Sequence, residues 1–198
     1  MKVLTLETVA LLIASAACQS SCPSLPGDIK MGTPVPINPA DIPAGCSDLE
    51  ILVARGTSEP NAEGGKFGIV VGDPIVTNTT LVLPGARGYP YPASYDLTGV
   101  RTGATDVNNR LKAQSKACPD QKFALVGYSQ GAALMHAAAK DIPRDLYPKI
   151  VALVMTGDPA HKSSSTSTFP AGLAEKELNL CAEGDPVRLM SREGGGLC

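Results

Sequence analysis

At 198 residues the chain has the length of one ordinary domain with short appendages, and its 43% apolar and 18% charged content describes a folding rather than a disordered polymer. A net charge of -2 leaves no basic surplus to neutralise phosphates, while five Tyr, three Phe and no Trp offer little for stacking on bases or sugars; nucleic acid is not an expected partner. The 17 prolines and 20 glycines imply many tight turns in a weakly acidic globule.

In chain order, residues 1–17 come first, with Lys2, an apolar run from Val9 to Ala17 and an A-x-A pattern at Ala14-Ser15-Ala16. They read as a secretory signal peptide, although Glu7 interrupts the apolar stretch. The run falls short of the ~20 residues that span a bilayer, so stable membrane insertion is not expected. Residues 18–45 read as an extended lead-in, and 46–198 as a single domain without internal repeats. Six cysteines, at 18, 22, 46, 118, 181 and 198, suit an oxidising, extracellular destination. None forms a CxxC pair and only two histidines exist, so no zinc or other metal site is expected. Asn78-Thr79-Thr80 is an acceptor pattern for N-glycosylation.

The first predicted strand is the apolar run 49–54, ending at Arg55-Gly56. Val100, Ala104, Val107 and Leu111 then share one face of a helix, with Arg101, Asp106, Arg110 and Lys112 on the opposite side. A second strand covers 123–126. Residues 130–141, rich in Ala with Leu and Met, predict a helix that stops before Pro143. Further strands are expected at 150–155 and around 177–180. Strands alternating with helices predict an α/β fold: a doubly wound central parallel sheet covered on both faces.

Gly127-Tyr128-Ser129-Gln130-Gly131 is a G-x-S-x-G run placed directly after a strand and directly before a helix, the setting of a nucleophile elbow. A sharp turn there lifts the Ser129 hydroxyl above the sheet, and the helix N-terminus directs N–H groups toward developing negative charge.

With its surroundings this run resembles the nucleophile region of the cutinase family, which also includes acetylxylan esterases. The resemblance rests on Cys118-Pro119-Asp120, the strand, and Gly127 through Ala133; on Cys46-Ser47-Asp48 and Ala54-Arg55-Gly56-Thr57-Ser58-Glu59-Pro60; on Tyr91-Pro92-Ala93-Ser94; and on Leu180 through Val187. It implies a lid-less α/β-hydrolase domain with Ser129 as nucleophile and Asp185 as the acid that orients the base. The oxyanion hole would be formed by the Gln130 amide together with the amide and hydroxyl of Thr57. It also implies a disulfide between Cys46 and Cys118, no cofactor, a monomeric state, and an ester as substrate. Cutin-type polyester and acetylated polysaccharide are the leading substrates, to be distinguished by pocket width along the loops 81–91 and 173–189. Pairing of Cys18, Cys22, Cys181 and Cys198 stays open.

The chain departs from the family pattern after Val187. Arg188 stands where a cysteine is expected, leaving Cys181 without its usual partner, and no histidine follows. A truncated or frame-shifted C-terminus lacking a closing helix is the expectation, with low stability and weak activity as consequences. His161 follows a strand and is a remote substitute base; His136, on the helix behind the elbow, is expected to be packed or solvated. A secreted, non-catalytic protein that keeps the fold and binds surfaces is the competing reading.

Overall fold

Near-continuous apolar runs form strands buried on both faces, because only a sheet covered by helices on each side can hide them from water. The computed structural model describes residues 37–91, 97–161 and 168–181. Its five strands are β1 (Leu49–Ala54), β2 (Ala86–Tyr91), β3 (Lys122–Tyr128), β4 (Ile150–Thr156) and β5 (Glu177–Leu180). They make one sheet in the order β2-β1-β3-β4-β5, every pair parallel. Three α-helices connect them: α1 (Gly72–Val82), α2 (Leu97–Ala117) and α3 (Gln130–Ala139).

Side-chain alternation along the strands divides the core in two. Leu52, Ala54, Phe123, Leu125, Leu153 and Met155 face α2 and α3. Ile51, Val53, Ala124 and Val126 face the other way, toward Val71 and Val76 at α1. Each fully buried Leu, Ile or Phe contributes about 1.5–3 kcal/mol in transfer free energy. On α2 the predicted stripe of Ala104, Val107 and Leu111 is buried, and Asn108 beside it donates to the Ala104 and Ala138 carbonyl oxygens, joining α2 to α3.

Two elements lie outside the sequence expectation. Strand β2, Ala-Arg-Gly-Tyr-Pro-Tyr, has no apolar run; it is an edge strand, the position where Pro90 costs no ladder partner. Helix α1 is rich in Val and Thr and carries Pro74 in its first turn, which hid it from a propensity reading. The Asn78 acceptor pattern therefore sits on a helix, with Asn78 exposed.

Arg110 corrects the amphipathic assignment of α2. Rather than facing water, its Nε donates to Glu50 Oε1 at 2.7 Å and its Nη2 to Oε2 at 2.8 Å. Arg87 Nε donates to the same carboxylate at 2.8 Å. Glu50 is fully buried in β1, and a buried carboxylate needs such partners. The group clamps β1, β2, α2 and, through the carbonyls of Pro43, Ala44 and Gly45, the chain entering the domain. At this same edge Cys46 and Cys118 are disulfide-bonded, as expected, closing 72 residues of sequence. Cys181 is disulfide-bonded too.

Candidate active site

The chain leaves β1 toward β2 on one side and returns to β3 on the other, so the sheet reverses its order between β1 and β3. In open α/β sheets the crevice at the carboxyl ends of such strands is where ligands bind. Ala54 pairs with Gly127 across this switch point, so the residues following each strand emerge side by side. Thr57 comes from the first, Ser129 from the second.

Ser129 is the residue between β3 and α3. Its backbone, at φ 52° and ψ -114°, lies in a region that L-residues avoid. Such a conformation persists only when its surroundings enforce it. The Ser129 amide donates to the Thr156 carbonyl at 2.9 Å, tying the turn to β4. The amides of Ala132 and Ala133 donate back to the Ser129 carbonyl, starting α3 immediately. Glycines on either side permit close approach: a Cβ on Gly131 would lie 2.0 Å from the Ala54 carbonyl oxygen, and one on Gly127 would lie 2.6 Å from Ala132 Cα. Helix α3 thus rests directly on the end of β1. Ser129 is partly exposed, not sealed under packed side chains.

The structure brings Thr57 and Gln130 together: Thr57 Oγ1 donates to Gln130 Oε1 at 3.3 Å. A Cβ on Gly56 would stand 2.7 Å from the Tyr128 ring and 3.5 Å from Ser129 Cβ, which shows how near the β1 loop passes to the elbow. Ser58, in the same loop, has φ 56°; it and Ser129 are the non-glycine residues with positive φ among the described residues. Asp185 lies outside the described residues, as do Ser94 and the departure after Val187.

Sequence reasoning did not single out Glu59. It is 5% exposed, and its carboxylate accepts from the Gly56 amide at 2.9 Å and the Val70 amide at 2.7 Å. The signal was available: an acidic residue five positions after the end of a buried strand, in a Gly- and Pro-bounded loop. Asp73, at the start of α1, similarly accepts from the amides of Ala62, Lys66 and Phe67.

His136 is buried, with Nε2 2.8 Å from Asp158 Oδ2 and its ring stacked on Phe169 at 4.2 Å. Asn179 Nδ2 and the Ala160 amide also donate to Asp158. Burial pushes the Asp158 carboxyl up, but the His136 hydrogen bond and charge, with those amides, outweigh it and hold the carboxyl below its usual range. His161 is exposed just beyond β4, its amide donating to the Asp158 carbonyl. The loop 81–91 is corrected in part: Ala86 pairs with Leu49 and Tyr91 with Ala54, so only the Tyr91 end reaches the Ser129 edge. Leu81 and Val82, at the end of α1, lie at the opposite edge.

The sequence profile named Cutinase matches residues 45–193. The chain is 34% identical over 148 residues to cutinase cut1 of Trichoderma harzianum, a match covering 72% of this chain and 56% of that protein. The chain thus spans a little over half the length of that relative. Among solved structures, Trichoderma reesei cutinase in complex with a C11Y4 phosphonate inhibitor superposes with a TM-score of 0.59 and 32% identity, covering 77% of this chain and 68% of the other. The catalytic core domain of acetyl xylan esterase from Trichoderma reesei shares the fold at 20% identity, with a TM-score of 0.54 and coverage of 72% and 85%. The central parallel sheet flanked by helices agrees with these matches, and the Cutinase profile covers most of the sequence: the chain belongs to the cutinase family.

Proposed function

We infer that the chain is a secreted serine carboxylesterase that cleaves ester bonds of cutin-type polyesters through a Ser129 acyl-enzyme. The observation that carries this reading is the strained Ser129 turn at the sheet's switch point, with Thr57 and Gln130 beside it. In this mechanism Ser129 Oγ attacks the ester carbonyl and the C=O electrons move onto oxygen. The amide of Gln130 and the amide and hydroxyl of Thr57 stabilise that oxyanion; the alcohol then leaves, and water releases the acid. A partly exposed nucleophile suits an ester carried on a polymer, and acetylated polysaccharide is the alternative substrate within the family. Residues 1–17 would direct export, consistent with the disulfide.

The Ser129 proton needs an acceptor, which Asp185 would orient. His136 is committed to Asp158, and exposed His161 is the other histidine of the 198 residues. In a comparable serine hydrolase, losing the base cost roughly 10⁶-fold in turnover. The same placement of both histidines favours the second reading, a surface-binding protein retaining the fold. Hydrolysis of p-nitrophenyl butyrate and labelling by a fluorophosphonate, each compared between wild type and Ser129→Ala, decide between them. Weak, Ser129-dependent signals are expected from this chain; folded protein without either signal refutes the esterase.

A further inference from the structure

The loop between β1 and α1 has to hold Thr57 against Gln130 without a regular element of its own. Two carboxylates hold it, and they hold different parts. Asp73 accepts from the amides of Ala62, Lys66 and Phe67, on the far side of the loop. Glu59 accepts from Gly56 and Val70, and so bridges the residue immediately before Thr57 to the segment leading into α1. The loop folds around this carboxylate: the Glu59 amide donates back to the Gly56 carbonyl at 3.1 Å, and the Ile69 amide to the Pro60 carbonyl at 2.8 Å. Gly68, at φ 101°, leaves room where a Cβ would lie 2.7 Å from the Glu59 carboxyl carbon.

We propose that Glu59 is a positioning residue for the oxyanion site, its carboxylate fixing the Gly56 peptide and thereby the Thr57 amide and hydroxyl. The inference rests on the esterase reading of Ser129. An amide preorganised for an oxyanion is effective only if it does not move when charge develops, and displacement of about 1 Å costs on the order of 10²-fold in rate. A carboxylate suits the task because both its oxygens accept, whereas a glutamine offers one acceptor and sets an NH₂ against the other N–H. Burial pushes the Glu59 carboxyl up, opposed by the Gly56, Val70 and Val71 amides and by the Arg55 charge. Arg55 is buried, donating to the Lys66 carbonyl; exposed Glu63 in the loop, Asp73 from α1 and the Lys66–Asp41 ion pair are the other charges around the loop.

The test compares full-length wild type, Glu59→Gln, Glu59→Asp and Asp73→Asn for p-nitrophenyl butyrate kinetics, thermal unfolding and amide hydrogen exchange. Glu59→Gln is expected to lower kcat about 10–100-fold with KM within about twofold, and to speed exchange at Gly56, Thr57 and Ser58. Glu59→Asp, shorter but with both acceptors, is expected to recover part of the loss. Asp73→Asn is expected to destabilise comparably while leaving kcat within about threefold. Unchanged kcat in Glu59→Gln, or an equal loss in Asp73→Asn, overturns the proposal. If wild type shows no Ser129-dependent turnover, the esterase reading fails; slow exchange at Gly56 through Ser58 in Glu59→Gln then overturns the loop-holding role as well.

Discussion

A Cβ at position 131 would meet the Ala54 carbonyl oxygen at 2.0 Å, and backbone cannot rotate away as a side chain can. Gly131→Ala is therefore expected to cost about 3 kcal/mol or more, because α3 must lift off β1. Chemical denaturation measures it. A near-wild-type midpoint would mean the helix has room that the contact denies. The His136–Asp158 pair makes a second prediction at this scale. Because the Asp158 carboxyl is held below its ordinary value, the pair stabilises the folded chain above pH ~4 and loses its contribution as pH falls through the lowered value. His136→Ala is expected to cost about 2–4 kcal/mol at neutral pH, from the unpaired buried carboxylate and the lost stack on Phe169. The difference from wild type should shrink on acidification, as read from urea midpoints at a series of pH values.

Among elements, the end of the sheet away from Ser129 is tied covalently and ionically. Removing the disulfide by Cys46→Ala with Cys118→Ala frees a 72-residue loop, about 4 kcal/mol in the chain-entropy model. That loop contains β1, the Thr57 loop, α1, β2 and α2, so the variant's urea midpoint should fall well below wild type. Equal midpoints would show that packing alone orders these elements. Glu50→Gln removes the charge that two arginines share and is expected to cost about 3–5 kcal/mol. These elements also show where the sequence was hard to read. Strand β1, helix α3 and strand β4 announced themselves because apolar content alone fixes a doubly covered strand or a buried helix. Strand β2 and helix α1 did not, since one is an edge with Arg, Gly and Pro and the other buries few apolar residues, among them Val76. Arg110 was misplaced for a related reason: helical periodicity puts a charge on a face without knowing that a buried Glu50 waits across it.

For the whole molecule, burial is uneven. Val151, Leu178 and Leu180 are 48%, 53% and 45% exposed on β4 and β5, while the β1–β3 centre is closed. Apolar area left in water contributes nothing to the folding free energy, so a melting temperature below about 65 °C is expected in calorimetry. A cooperative transition above that value would contradict it.

From the order of its residues alone the chain determined an α/β architecture and the position of the Ser129 elbow, because a strand, a glycine-flanked serine and a helix in immediate succession leave the backbone one economical path. Likeness to a family supplied the Cys46–Cys118 pairing, which composition could not. Tertiary structure alone decided that Glu59 would grip the Gly56 amide, that His136 would spend its imidazole on Asp158, and that Arg110 would turn inward. Each of these depends on which groups lose water together, and residues far apart in sequence learn that only when the sheet and its helices close around them.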